Sequence, residues 1–375
     1  MNEADQEILT KAVGTVIDEV LEDDLSVFGG MNRFLGLSQR SFTQFHRRWK
    51  RQDSCVFHGC NSRSVRFSHA IQKASLDLIA ENGKVITPQG GFPGKGHKAR
   101  LIGTNEASVF PGFCKTHEQE FADFESIVDL NSKRSAELQI YRIICRELVS
   151  KRHELMHFNE VVGKLENLTI EYVNKRLKEI LPQDFLLRHP NKLVRKTEGL
   201  CGRLEIMRNW RDKISDDLKW FEEHFYEPCQ PIVSGNRLRN LSWYHFTASD
   251  RLEVALAGRI PFTAEKDGDS ESITVMVAVI PTISGTSFLI VCRATDQGYL
   301  HLMFPGFDSV DATGMDAGSL LKIVEAWMVV GTDQWFIRPS TWNALDSSVQ
   351  QRVLDDHFGD EYREGFLLPY SIFWP

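Results

Sequence analysis

Two short pairs of metal-competent side chains, Cys55-x4-Cys60 and Cys114-x2-His117, stand far apart in the chain. No other feature constrains the fold as tightly. A tetrahedral zinc site takes four thiolate or imidazole donors, and two pairs on separate turns supply them. If the four meet, residues 61–113 must leave and return to the same point, and metal binding then contributes directly to folding free energy. The competing reading is of unpaired core thiols beside surface histidines. His58, within Cys55-Val-Phe-His58-Gly59, is a rival ligand. Seven cysteines, odd in number and unevenly spaced, read as thiols or ligands in a reducing compartment rather than as a disulfide framework.

Charge is distributed as unevenly as the ligands. The formal net charge is −7, which at first argues against a nucleic-acid partner. By segment, however, residues 1–30 carry −7 and residues 31–117 carry +10, so a basic segment lies inside an acidic protein. Arg40, Arg47, Arg48, Lys50 and Arg51 interleave with Phe42, Phe45 and Trp49, and Lys95, Lys98 and Arg100 lie in or beside a Gly-rich loop. Cations beside aromatic rings suit phosphate contact and base stacking, so nucleic acid is the expected partner of residues 31–100. The alternative is a solvated basic face that pairs with the acidic N-terminal helix.

Apolar residues at helical spacing (Ile8, Val13, Val16, Ile17, Val20, Leu21, Leu25) predict an amphipathic helix over 8–25. The acidic start lacks the basic n-region of an export signal, and a cytoplasmic location is expected. Residues 132–181 read as one long helix or a helical hairpin ending before Pro182, and 194–225 as a second helical stretch. Strands are expected at 242–247, 273–280 and 287–293, and helices at about 316–330 and 342–357. The uncharged stretch Ile273–Cys292 has the length of a membrane span, but Pro281–Thr286 interrupts it, so it reads as two buried strands. With 42% hydrophobic residues in 375 positions, two or three cores are expected. The divisions are an acidic helix (1–30), a basic zinc-binding module (31–130), a helical region (131–228) and a C-terminal α+β domain (229–375), an α+β protein overall.

Between the two pairs lies Val65-Arg66-Phe67-Ser68-His69-Ala70-Ile71. A Cys pair, a strand ending in a polar residue and His-x-Ile, a loop, then a second ligand pair opening a helix: this order resembles the HNH group of ββα-metal nucleases, a treble-clef module, over residues 55–125. It is also similar to bacterial proteins carrying C-x4-C…S-H-x-I-x-K…G-F-C-x2-H-[DE]. The resemblance implies structural Zn2+ on Cys55, Cys60, Cys114 and His117. It also implies a catalytic Mg2+ or Mn2+ at Ser68 and Glu118, His69 as general base on the attacking water, and cleavage of DNA or RNA, often in defence against phage. Ser68 stands where that group usually has an Asp, a poor exchange for a hard cation, and the group's central Asn has no clear counterpart. A catalytically silent zinc module that binds nucleic acid or protein in a regulatory or sensor protein therefore stands beside the nuclease. No Walker A sequence or G-x-S-x-G elbow is present. His153 and His157, one helical turn apart, have no further ligand near them in sequence.

Overall fold

The computed structural model describes residues 3–23, 25–28, 30, 49, 53–90, 96–189, 194, 199, 201–236, 238, 240–266, 269–300, 317–332, 334–358 and 371–372. In chain order the elements are α1 (Glu3–Glu22), β1 (Ser68–His69), α2 (Lys73–Asp77), β2 (Lys84–Gln89), β3 (Lys98–Gly103) and β4 (Val109–Phe110). Then come α3 (Lys115–Glu118), α4 (Ala122–Ile127), α5 (Lys133–Ile180), α6 (Gln183–Arg188) and α7 (Gly202–Phe221). The last are β5 (Leu241–Ala248), β6 (Val254–Lys266), β7 (Asp269–Thr282), β8 (Gly285–Arg293), α8 (Ala317–Ala326), β9 (Trp335–Ile337), α9 (Pro339–Ala344) and α10 (Ser347–Phe358). The protein is mixed α+β with a helical middle. Among the described residues, no helix is long and apolar enough to cross a membrane.

The chain divides into two compact units, one of residues 1–49 with 150–219, the other of 50–149 with 220–375. These are not the divisions that sequence texture suggests. Strands β2 and β3, from the expected zinc module, and β5–β9, from the expected C-terminal domain, form one seven-stranded sheet in the order β3-β2-β9-β6-β7-β8-β5. The joint is the pair Ile86↔Ile337. Helix α5, 48 residues without a break, settles the choice between one helix and a hairpin in favour of one.

The first unit is helical. Ala12, Val16 and Val20, spaced four apart on α1, bury one stripe against Val162, Leu165, Val173 and Leu177 of α5 and Leu204 of α7. Two acids of α1 are paired within this unit. Glu19 takes both Nε and Nη2 of Arg176 at 2.9 Å, and Asp5 meets His189 Nε2 at 2.8 Å and Arg188 at 3.0 Å. The expected pairing of this helix with residues 31–51 concerns a segment that, apart from Trp49, lies outside the described residues. The second helical stretch begins at Gly202, later than expected, and α7 passes into a π turn, Glu222–Tyr226, that belongs to the second unit.

In the second unit Ile273–Cys292 is a hairpin, β7 and β8 joined through Ile283-Ser284, with eight of the nine β8 residues buried. Burial on both faces explains why the sequence runs apolar instead of alternating. Gly285 sits at φ +144°, and a Cβ there would lie 2.0 Å from the carbonyl oxygen of Ala248, so only glycine fits the end of this turn. Strand β6 was not anticipated, because Pro261 interrupts its pattern. Strand β9 covers only Val254–Leu256 of β6, so among the described residues Pro261 has a ladder partner on one side only, Thr274 of β7. The core lies between the sheet and α8, α10 and a second π turn, Trp327–Gly331, with Trp327 and Trp335 fully buried.

Candidate metal centre

Residues 54–63 form a knuckle. Ser54 and Arg63 make an isolated antiparallel bridge, the Cys55 N–H donates to Ser62 O at 2.8 Å, and the Cys60 N–H donates to Phe57 O at 3.0 Å. Gly59 turns the chain at φ +74°, a conformation in which a side chain is costly. The knuckle is tied to the second pair by the N–H groups of Val56 and Val65, which donate to the carbonyls of Gly112 (2.8 Å) and Phe113 (2.6 Å). Cys114 is the N-cap of α3. His117, three residues on, therefore comes up on the same side of the helix start.

The four side chains of the sequence pattern meet: Cys55 Sγ, Cys60 Sγ, Cys114 Sγ and His117 lie within 4.8 Å of one another. Cys60 and Cys114 are 4.0 Å apart at sulfur, and Nδ1 of His117 is 3.4 Å from the sulfurs of both Cys55 and Cys114. Metal–ligand bonds of 2.3 Å to sulfur and 2.0–2.1 Å to nitrogen give tetrahedron edges of roughly 3.8 Å (S–S) and roughly 3.5 Å (S–N). The donors thus already stand at about the separation zinc requires. Backbone N–H groups point at the sulfurs as they do around metal-bound thiolates. Those of Phe57 and Cys114 serve Cys55, and that of Ser62 serves Cys60. Burial pushes the Cys55 thiol up to about 12, so a thiolate there needs a cation beside it. The Phe57 ring stacks on the His117 imidazole with centroids 3.7 Å apart and planes 4° apart, which holds the ring with Nδ1 inward. His58, the rival ligand, is exposed and outside the group.

Ser68 and Glu118 also meet, beside the antiparallel pairing of β1 with β4, in which His69 is the next residue along the strand from Ser68. Ser68 Oγ donates to Glu118 Oε2 at 2.8 Å and accepts the Phe113 N–H at 3.0 Å. The other Glu118 oxygen accepts from Arg142 Nη2 at 2.8 Å, while Arg142 Nη1 lies 2.7 Å from Glu125. The Arg142 side chain is 0% exposed, and its guanidinium carbon lies 4.3 Å from the centre of the Phe121 ring. Burial raises the Glu118 carboxyl above the usual range, against the opposing pull of Arg142 and Ser68. Burial, then the charge of Arg142, lowers the His69 imidazole. Its Nε2 is buried and has no hydrogen-bond partner among the described residues.

This arrangement is that of a closed polar network. Both carboxylate oxygens of Glu118 are occupied by protein donors, and a guanidinium stands beside two carboxylates where a hard cation would need open oxygen ligands. Arg142 and Glu125 were missed by sequence reasoning. The available signal was Arg142 on α5 between Tyr141 and Ile143-Ile144-Cys145, a charge inside an apolar run.

The expected nucleic-acid residues are less completely placed. Arg40, Arg47, Arg48, Lys50, Arg51 and Lys95 lie outside the described residues. Trp49 is half-buried, its ring edge-on to the buried His153 at 5.4 Å. Lys98 and Arg100 are exposed on β3, the outermost strand at one edge of the seven-stranded sheet.

Comparison of the chain with protein-family models, with curated proteins and with solved structures gave no match.

Proposed function

We propose that Cys55, Cys60, Cys114 and His117 hold a structural zinc ion and that the surrounding treble-clef-like module is catalytically silent, serving as a binding element in a regulatory or sensor protein. The observation that carries the silent reading is the engagement of Glu118 at both oxygens, by Ser68 and by the fully buried Arg142. A general base must reach the water it activates, and a buried His69 Nε2 supports no such access. The charge of +10 over residues 31–117 and the exposed Lys98 and Arg100 support nucleic acid as the bound partner.

One observation favours the metal-dependent nuclease as a second reading. Ser68 and Glu118, two of the residues that the HNH resemblance assigns to the site, are in direct contact, and His69 is the next residue in the chain after Ser68. A cleavage assay on DNA and RNA with Mg2+ or Mn2+, comparing wild type with His69→Ala and preceded by metal analysis, separates the two. The silent module predicts about one zinc per chain and the same absence of cleavage in both proteins. Cleavage by wild type that is lost in His69→Ala establishes the nuclease instead.

A further inference from the structure

The four donors are not equally sheltered. Cys55 and Cys114 are 6% and 5% exposed, whereas Cys60 is only half-buried and follows the exposed His58-Gly59 tip of the knuckle. Its sulfur lies 4.0 Å from that of Cys114. The remaining cysteines, Cys145, Cys201, Cys229 and Cys292, are buried and take no part in the cluster. One accessible sulfur therefore stands 4.0 Å from the sheltered sulfur of Cys114 and within 4.8 Å of that of Cys55.

We infer that Cys60 and Cys114 are an oxidation site, at which hydrogen peroxide converts the metal-binding pair to a disulfide and dismantles the chelate. The inference rests on the zinc reading. The Cys60 thiolate attacks one peroxide oxygen, the O–O bond breaks, hydroxide leaves, and Cys60 becomes a sulfenic acid. The Cys114 thiolate then attacks the Cys60 sulfur, forming the S–S bond as the S–O bond breaks and a second hydroxide leaves. Two thiolates lose two electrons in all, and one peroxide, taking up two protons, becomes two waters. The sulfurs close from 4.0 Å to a bond of about 2.05 Å, and only Cys55 and His117 remain as donors. Two ligands do not retain a structural zinc ion, so the knuckle and the start of α3 lose their common anchor. A thiol reductant with free zinc reverses the change.

The test uses the intact wild-type chain, so it does not depend on the folding of a variant. Zinc content is measured first. Hydrogen peroxide is then added in the presence of a chromogenic chelator, and thiols are mapped by differential alkylation and peptide mass spectrometry. The expected result is release of about one zinc per chain in step with a Cys60–Cys114 disulfide, Cys145, Cys201, Cys229 and Cys292 staying reduced, and recovery with dithiothreitol and zinc. Zinc retained under peroxide overturns the inference and leaves the zinc reading standing. Release with a Cys55–Cys60 bond, or with over-oxidised Cys60 and no disulfide, also overturns it. Protein without zinc before peroxide is added sinks the metal reading itself.

Discussion

Arg142 is the fully buried charge that links Glu118 and Glu125 to α5 in the second unit. Its guanidinium, itself fully buried, compensates the partly buried carboxylates of Glu118 and Glu125. Removing one partner of a buried pair is strongly destabilising because the other charge stays behind. Arg142→Met is therefore expected to cost about 3 kcal/mol, read as a lower urea midpoint for the second unit, with Glu118→Gln in the same chain recovering part of the loss. A change within the error of the Glu118→Gln single variant would show that the network is not what holds α3 and α4 to α5. Residue by residue, the four clustered donors were legible because their spacing is local and chemical. Arg142 was not, because a charge inside an apolar run names no partner, and Glu118 and Glu125 are brought to it by the fold. Only the three-dimensional result, burial of every residue from Ser135 to Arg146, shows that this part of α5 is enclosed on all sides.

At the scale of elements, α1 is joined to the first unit by an apolar stripe and by carboxylates at both ends. The donated hydrogen bonds of His189 and Arg176 hold the Asp5 and Glu19 carboxyls below their usual range. A carboxyl lowered in the folded state contributes stability above its unfolded pKa and loses it as pH falls through the folded one. Residues 3–22 are thus expected to keep full amide protection at neutral pH and to lose it first below about pH 4. In an Asp5→Asn, Glu19→Gln chain, protection is lower at neutral pH and nearly independent of pH. Hydrogen exchange followed by mass spectrometry reads both, and equal acid sensitivity in the two chains would remove the ion pairs from the account. Long periodic elements such as α1 and α5 could be read from sequence, as could the β7–β8 hairpin. Strand β6 was hidden by Pro261. Strand β9 was hidden by its three-residue length, which carries no periodicity of its own.

For the whole molecule, each unit has its own buried cluster, and only the second contains the candidate metal centre. Chelation of the metal is expected to expose amides of residues 53–70 and 109–127 while leaving α1 and residues 160–180 as protected as before. Hydrogen exchange before and after removal of zinc reads this, and uniform loss across both clusters would place the metal at the root of the entire fold. The composition of this unit was not legible because strand partnership is a matter of register between distant segments. Nothing in Lys84–Gln89 announces that its neighbour is Trp335–Ile337. That partnership sets an order of events in the cell. A ribosome delivers residue 86 long before residue 337, and closing so large a loop is slow. Until then the β2–β3 hairpin waits with one flank bare, and a bare strand flank invites a wrong partner. The sheet can be completed only once residues 335–337 have been made, so that flank stays open while everything between the two strands is synthesised.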